Sequence, residues 1–444
     1  MAVVAIIGGG IGGLIAAHVI KQYSPSSKVK IIEGGPRVGG LLGLSHQSGN
    51  YQFDIGTHIP AQTLIDELDQ WLFGELYDDE SWQIIHRIKG ANYYQGRIDQ
   101  QHHNIASQDI YDKLSDGIDA GAVPNLKQDY QFRFGEMLAL DVFLPLIRKF
   151  VPYPAEDLEP EVKRYFALDR LSQHGGRNPS KHSGSSPLAE TRINLANRVI
   201  PLAIYPKNGD GVYRWIKHLS AKLHLEGVEV LTNKKLVDLQ AQEKKITAIK
   251  FADGATIACD YLIWSAPIES LAQIAEPELA ASLKKFYSRT TIKILHFVFN
   301  KAFDVDSHYI NCFSSEFDPY RITLYDNFAG HHGDGYRCTV EVVGERAFAP
   351  SCTADGIVQQ LHKMGILSDG TQVLYRHETT IENGFPVRKV GASDAASALC
   401  DSLASRYSNL LLTGSAKPGV FFANDVMINT YSDLTGVMAD GSLV

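Results

Sequence analysis

The chain has 444 residues, 44% of them hydrophobic and 21% charged, with a formal net charge of -8. This length exceeds one core and predicts two or three domains. The composition excludes a disordered chain, and the acidic balance excludes nucleic acid as the main partner while leaving room for a local arginine site. In chain order, the apolar run Val3-Val4-Ala5-Ile6-Ile7 predicts a buried strand, followed by the glycine turn Gly8-Gly9-Gly10-Ile11-Gly12-Gly13 and a helix. A second apolar strand, Val29-Lys30-Ile31-Ile32, ends at Glu33, twenty residues past Gly13. Strand, glycine turn, helix, strand and acid in that order predict a dinucleotide-binding unit. Gly8 permits the tight turn, Gly10 lets backbone approach a pyrophosphate, and Gly13 lets helix and strand pack closely. Ile11 and Gly12 open the helix, whose first N–H groups face the phosphates, and Glu33 is placed to accept from a ribose diol.

A second glycine cluster follows in Gly34-Gly35-Pro36-Arg37-Val38-Gly39-Gly40-Leu41, and then Asp54-Ile55-Gly56-Thr57-His58. Glu33, Arg37-x-Gly39-Gly40 and Asp54-x-Gly56-x-His58 together resemble the start of the flavoprotein clan of monoamine oxidases, protoporphyrinogen oxidases, phytoene desaturases and UDP-galactopyranose mutases. The resemblance implies FAD rather than NAD. It places Gly34, Arg37, Gly39, Gly40 and Leu41 along the diphosphate and ribityl chain, and Gly56, Thr57 and His58 beside the isoalloxazine.

The pattern then turns helical at 63–72, and 84–88 and 93–98 read as two strands of a hairpin. Residues 130–171 read as helices broken at Pro152 and Pro154. The Gly/Ser-rich stretch 173–188 cannot supply a packed core and reads as a mobile loop, with or without a lid function. Tyr205-Pro206-Lys207-x-Gly209-x-Gly211 leads a predicted helix at 212–225, and strand segments follow at 228–231, 237–239, 246–251, 256–257 and 262–267. By the same resemblance Val230 and Val237 lie near the FAD adenosine, and Ala266 closes the strand end beside the cofactor. Strands are expected at 292–299, 307–310, 320–328, 336–343 and 409–413. Gly414 ends the last of these, and Asn424-Asp425-Val426-Met427 opens a final helix whose N-terminal partial charge would stabilise a reduced flavin anion. The expected fold is α/β. A Rossmann-type FAD-binding domain (1–60, 200–290, 405–444) is interleaved with an α+β substrate domain (61–199, 291–404).

Five cysteines form no CxxC pair, so free thiols in a reducing compartment are expected rather than disulfides or zinc. No HExxH motif or closely spaced histidine pair suggests a metal, and adjacent His102 and His103 read as solvated surface. The first apolar run is soon cut by glycines, and the later run 137–147 contains Asp141 and Pro145. Neither a secretory leader nor a transmembrane segment is expected, and the expected location is cytoplasmic.

Two residues are expected to carry the chemistry. His58 resembles the mutase histidine near the reactive flavin nitrogen, where an imidazole can exchange a proton as the flavin changes charge. Arg321, in Asp318-Pro319-Tyr320-Arg321-Ile322, resembles the mutase arginine that binds a substrate diphosphate, a task suited to a planar fork. Tyr165 and Tyr205 only partly match the mutase tyrosine cluster, and Ser415 stands where mutases carry Arg after the strand-end glycine. The flavin-linking cysteine of monoamine oxidases would precede the last helix and 420–423 contains none, so the resemblance implies a noncovalent FAD. The resemblance implies a flavoenzyme of the amine oxidase and protoporphyrinogen oxidase type, moving hydride from a substrate C–H to flavin N5. The alternative is a mutase-like flavoenzyme acting on a nucleotide-linked sugar in polysaccharide synthesis, and a third reading is a non-catalytic flavin-binding subunit. The partner is a small molecule, with an oligomer left open.

Overall fold

The computed structural model describes residues 1–105, 110, 123–171 and 200–441. The stretch 173–188 lies outside them.

A parallel five-stranded sheet holds the glycine turn. Its spatial order is Leu410–Leu412, Tyr261–Trp264, Val3–Ile7, Lys28–Ile32 and Glu229–Leu231, with every neighbour pair parallel. Continuous apolar runs suit strands buried on both faces, and the side chains divide accordingly. Val4, Ile6, Val29, Ile31 and Ile263 face the helices Ile11–Tyr23, Tyr213–Leu225 and Ala423–Ala439. Ala5, Ile7, Ile32, Leu262 and Trp264 face the other way. There they meet Ile249 and Phe251 of a small antiparallel sheet, together with Leu271, Leu399 and Leu403.

A second, mixed sheet runs Val373–Ile381, Ile292–Phe299, Tyr336–Val343, Arg321–Leu324, Tyr309–Cys312, Gly90–Tyr94 and Arg97–Asp99. Strict alternation sorts its two faces. Leu295, Phe297, Ile310, Ile322, Leu324, Val340 and Val342 pack with Ile357 and Leu361 of the helix Ala354–Lys363. Asn311, Arg321 and Glu341 share register and stand on the opposite face.

The structure corrects two local expectations and adds to a third. The predicted hairpin of 84–88 with 93–98 does not form: Trp82–Ile85 pairs with Ala203–Pro206, and Gly90–Tyr94 turns through Gln95 and Gly96 onto Arg97–Asp99. Both turn residues have positive φ (49° and 77°), as a tight two-residue hairpin requires. The helical stretch breaks at the prolines as expected, with Leu144–Phe150 ending before Pro152, and is also interrupted earlier, at Gly135 (φ 79°, ψ 161°) and in the wide turn Ala139–Phe143. The strand expected at 320–328 stops at Leu324, and a short helix, Asp326–Ala329, follows.

Candidate functional site

The glycine turn is built so that side chains are excluded at some positions and merely missing at others. Gly8 has φ +104°, and a β-carbon on Gly13 would lie 1.9 Å from the Gly8 carbonyl oxygen. Close strand–helix packing therefore demands glycine at position 13. Gly10 precedes the helix in an extended conformation (φ -71°, ψ 179°) that any residue adopts. A β-carbon there would meet nothing nearer than the Gly40 Cα at 4.0 Å, so the space beside Gly10 is open. The first N–H groups of the helix Ile11–Tyr23 have no partner within the helix and carry its positive end.

Three further segments close on this turn. Glu33 accepts the Gly9 N–H at 2.9 Å through Oε2 and the Gly35 N–H at 2.7 Å through Oε1. Gly39, with φ +118°, donates its N–H to the Gly9 carbonyl at 2.7 Å. The last helix rests on the glycines: β-carbons on Gly12 and Gly414 would lie 3.2 and 2.9 Å from the Thr430 hydroxyl, and one on Gly8 would lie 3.0 Å from the Ala266 nitrogen. The Thr430 hydroxyl is buried and has no hydrogen-bond partner among the described residues.

Other predicted residues sit around this centre. Arg37 lies over the Tyr213 ring, 5.2 Å from its centroid, and a β-carbon on Gly34 would touch nothing within 4 Å. Leu41 is 66% exposed. The segment lying on Glu33–Gly35 is Asn233 and Lys234, whose N–H groups donate to the Gly35 and Glu33 carbonyls at 2.8 and 2.9 Å. Val237 stands farther along, exposed on the strand Leu236–Gln242. At the last helix Asn424 Nδ2 donates to the Gln62 carbonyl at 3.4 Å. Asp425 Oδ2 accepts the Phe422 N–H at 3.4 Å and pairs with Arg164 at 3.4 Å. Met427 is buried.

The segment Gly56–His58 lies against the polar face of the mixed sheet. The Thr57 hydroxyl bonds that of Thr323 and donates to Glu341 Oε1 at 3.5 Å. His58 Nε2–H donates to the Ile55 carbonyl at 3.1 Å, in the neutral tautomer this acceptor selects. Burial holds the imidazole down at about 4, against the help of that carbonyl, and the nearby Arg321 charge lowers it further. His58 is therefore neutral at ordinary pH. Arg321 donates from Nε to Asn311 Oδ1 at 3.1 Å and from Nη2 to the Tyr320 hydroxyl. Its guanidinium lies over the Tyr320 and Tyr309 rings, 4.7 and 5.8 Å from their centroids. The structure thus brings the two expected catalytic residues into one electrostatic neighbourhood.

Glu341 was missed from sequence. It is 4% exposed, and burial raises its carboxyl while Arg321 opposes that shift. The available signal was a single charge inside Thr339-Val340-Glu341-Val342-Val343, an otherwise strand-forming run. Asp54 lies behind the segment, fully buried, accepting from the Tyr205 hydroxyl at 2.5 Å and the Val212 N–H at 2.9 Å. Tyr205 is consequently a support for Asp54, with no exposed surface. Tyr165 packs its ring on Phe421 at 4.2 Å.

The glycine turn has the form a dinucleotide diphosphate requires, with an open space beside Gly10, a helix N-terminus and an acid at the second strand. Among the described residues no group of three or more His, Cys, Asp or Glu could hold a metal ion. No described helix is long and apolar enough to cross a membrane.

Comparison with known proteins agrees with this geometry. The model for the NAD(P)-binding Rossmann-like domain matches residues 6–71. No curated protein sequence matches the chain. Among solved structures, a reduced UDP-galactopyranose mutase aligns with TM-score 0.68 at 15% identity, over 99% of this chain and 92% of its own. A candidate protoporphyrinogen oxidase from Exiguobacterium sp. 255-15 aligns with TM-score 0.66 at 14% identity, over 99% of both chains. A putrescine oxidase bound to putrescine aligns with TM-score 0.64 at 14% identity, over 99% of each chain. The chain has the fold that these proteins share.

Proposed function

We propose that this chain is an FAD-dependent oxidoreductase of the amine oxidase and protoporphyrinogen oxidase type, holding FAD noncovalently and oxidising a small molecule at a C–H bond. The observation that carries the proposal is the junction of two features. A glycine cradle with open space at Gly10 abuts, through Gly39 and Gly40, the segment leading to a neutral His58 on a buried polar sheet face. Gly8, Gly10, Ile11, Gly12 and Gly13 would hold the diphosphate, Glu33 and Gly34 the ribose, and Arg37, Gly39, Gly40 and Leu41 the chain beyond it. Val237 belongs to the adenosine end. Gly56, Thr57, Ala266, Gly414 and residues Asn424, Asp425, Val426 and Met427 line the remainder. Bound there, FAD would supply the hydride acceptor.

The protein's own share is orientation and proton handling. His58 keeps one proton on Nε2 for the Ile55 carbonyl, so Nδ1 is the nitrogen left to accept or return a substrate proton. Arg321 has Nε and Nη2 fixed by Asn311 and Tyr320, which orients the fork in advance of any ligand.

A second reading is mutase-like, acting on a nucleotide-linked sugar. What favours it is the pre-oriented Arg321, whose Nη1 has no hydrogen-bond partner among the described residues and suits a phosphate oxygen.

One experiment separates these readings. The purified protein is loaded with FAD and screened anaerobically against amines, porphyrinogens and other oxidisable small molecules while the flavin absorbance is followed. Bleaching by one class establishes the oxidase. With dithionite-reduced protein, conversion of a UDP-pyranose into its furanose without net oxidation establishes the mutase. A protein that takes up no FAD refutes both.

A further inference from the structure

Glu341 is a buried acid that the roles proposed so far leave unused. It lies on the strand Tyr336–Val343, in register with Arg321 on the neighbouring strand. Arg321 is the counter-charge that acts on it, yet no Lys, Arg or His nitrogen among the described residues lies within 4.0 Å of it, and Arg321 turns Nε and Nη2 to Asn311 and Tyr320. An acid left in that state is costly unless its oxygens do something else. They face the backbone at Gly56 and Thr57: a β-carbon on Gly56 would lie 3.3 Å from Oε2, and Oε1 accepts from the Thr57 hydroxyl. Gly56 itself adopts φ +100°, in the region that favours glycine. Two residues on is His58, whose ring turns back onto Ile55. The carboxyl group therefore fills the space that a side chain at position 56 would take, and it holds the turn that presents the imidazole.

We propose that Glu341 is a positioning residue: through Gly56 and Thr57 it fixes the 55–58 turn, and its charge acts on the cofactor that this turn faces. The first part stands on the geometry alone. The second rests on the proposed FAD reading. A buried negative charge beside a flavin disfavours added electrons, so removing it raises the reduction potential. Glutamine keeps an oxygen for Thr57 and loses the charge, whereas alanine loses both.

The test uses the full chain in two measurements. Amide hydrogen exchange of the unloaded protein, read over residues 55–58 by mass spectrometry, is expected to quicken at least about tenfold in Glu341→Ala and to stay within about twofold of native in Glu341→Gln. Thr57→Val, which removes only the hydroxyl, is expected to quicken exchange in the same segment and guards against a misfolded alanine variant. In the FAD-loaded protein, Glu341→Gln is expected to raise the flavin midpoint potential above that of the native protein. Unchanged exchange in both Glu341→Ala and Thr57→Val overturns the positioning role, and an unchanged potential overturns the role of the charge. A native protein that binds no FAD would refute the flavoenzyme reading and the role of the charge with it, while the exchange data would still decide the positioning role.

Discussion

The Tyr205 hydroxyl donates to Asp54 Oδ2 across 2.5 Å, joining residues 151 positions apart in the chain. Burial lifts the Asp54 carboxyl to about 7, opposed by Tyr205, the Val212 N–H and the Arg337 charge. Arg337 is itself fully buried, donating from Nη1 to the Gln52 and Gly209 carbonyls at 3.0 and 2.9 Å. The segment before Gly56 is thus anchored by a buried carboxyl whose hydrogen bonds water does not reach.

This anchor makes stability depend on pH. The unfolded chain releases the Asp54 proton near 3.8, whereas the folded protein keeps it to about 7. Folding therefore takes up a proton between those values. The contribution is full below the lower value and is lost as pH rises through the upper one. From pH 5 to pH 8 the loss is on the order of 2 kcal/mol at about 1.4 kcal/mol per unit. Asp54→Asn has no such slope. Thermal melts of both proteins are expected to converge by a few degrees as pH is raised over that span, and parallel curves would refute the assignment.

Two glycines of the turn, Gly13 and Gly10, should separate structure from binding. Gly13→Ala places a β-carbon 1.9 Å from backbone and is expected to abolish folding or to cost several kcal/mol. Gly10→Ala meets no atom closer than 4.0 Å and is expected to leave the melting temperature of the unloaded protein nearly unchanged. It should nonetheless weaken FAD binding by at least about tenfold, because the added methyl occupies the diphosphate's approach. Calorimetry without FAD and equilibrium titration with it check the two halves.

His58 should stay neutral through the working range. Its folded value of about 4 lies below its ordinary 6.5, so the stability linked to it is full above 6.5 and is lost as pH falls toward 4. Its own ionisation should leave no inflection in the pH–rate profile between about pH 6 and pH 9. His58→Gln is expected to retain FAD and to slow substrate-dependent bleaching by at least about tenfold. Stopped-flow absorbance under anaerobic conditions measures this, and an unchanged rate removes His58 from the chemistry.

Arg321→Lys keeps a charge but cannot serve Asn311 and the Tyr320 hydroxyl as a planar fork. Binding of an anionic ligand is expected to weaken by about tenfold in the lysine variant and further in Arg321→Ala. Titration of the reduced protein with a UDP-hexose, followed by flavin fluorescence, tests the mutase-like reading. Equal affinity in all three proteins would count against it.

The dinucleotide unit was legible because its parts are neighbours in the chain. Strand, glycine turn, helix and acid lie within Val3 to Glu33, and each position answers to a local constraint: φ at Gly8, a contact at Gly13, a hydrogen bond at Glu33. The middle of the chain was read less well. The sequence pattern predicts a strand at 84–88 where Trp82–Ile85 forms, and it says nothing of the partner, which lies at 203–206. Asp326 falls within the strand expected at 320–328, yet the backbone there turns into a short helix.

The Gly8–Gly13 turn and Glu33 were accordingly named from spacing, since backbone sterics over a few positions dictate them, whereas the second glycine cluster and the last-helix residues were named through the family resemblance. The surroundings of His58 were decided by folding. Thr57 meets Glu341 across 284 positions, and Arg321 faces both only because three strands settled into one register. Cross-strand register follows from packing the apolar side of that sheet against the helix Ala354–Lys363. That packing, rather than any local preference, turned the polar side and its lone glutamate toward the candidate site.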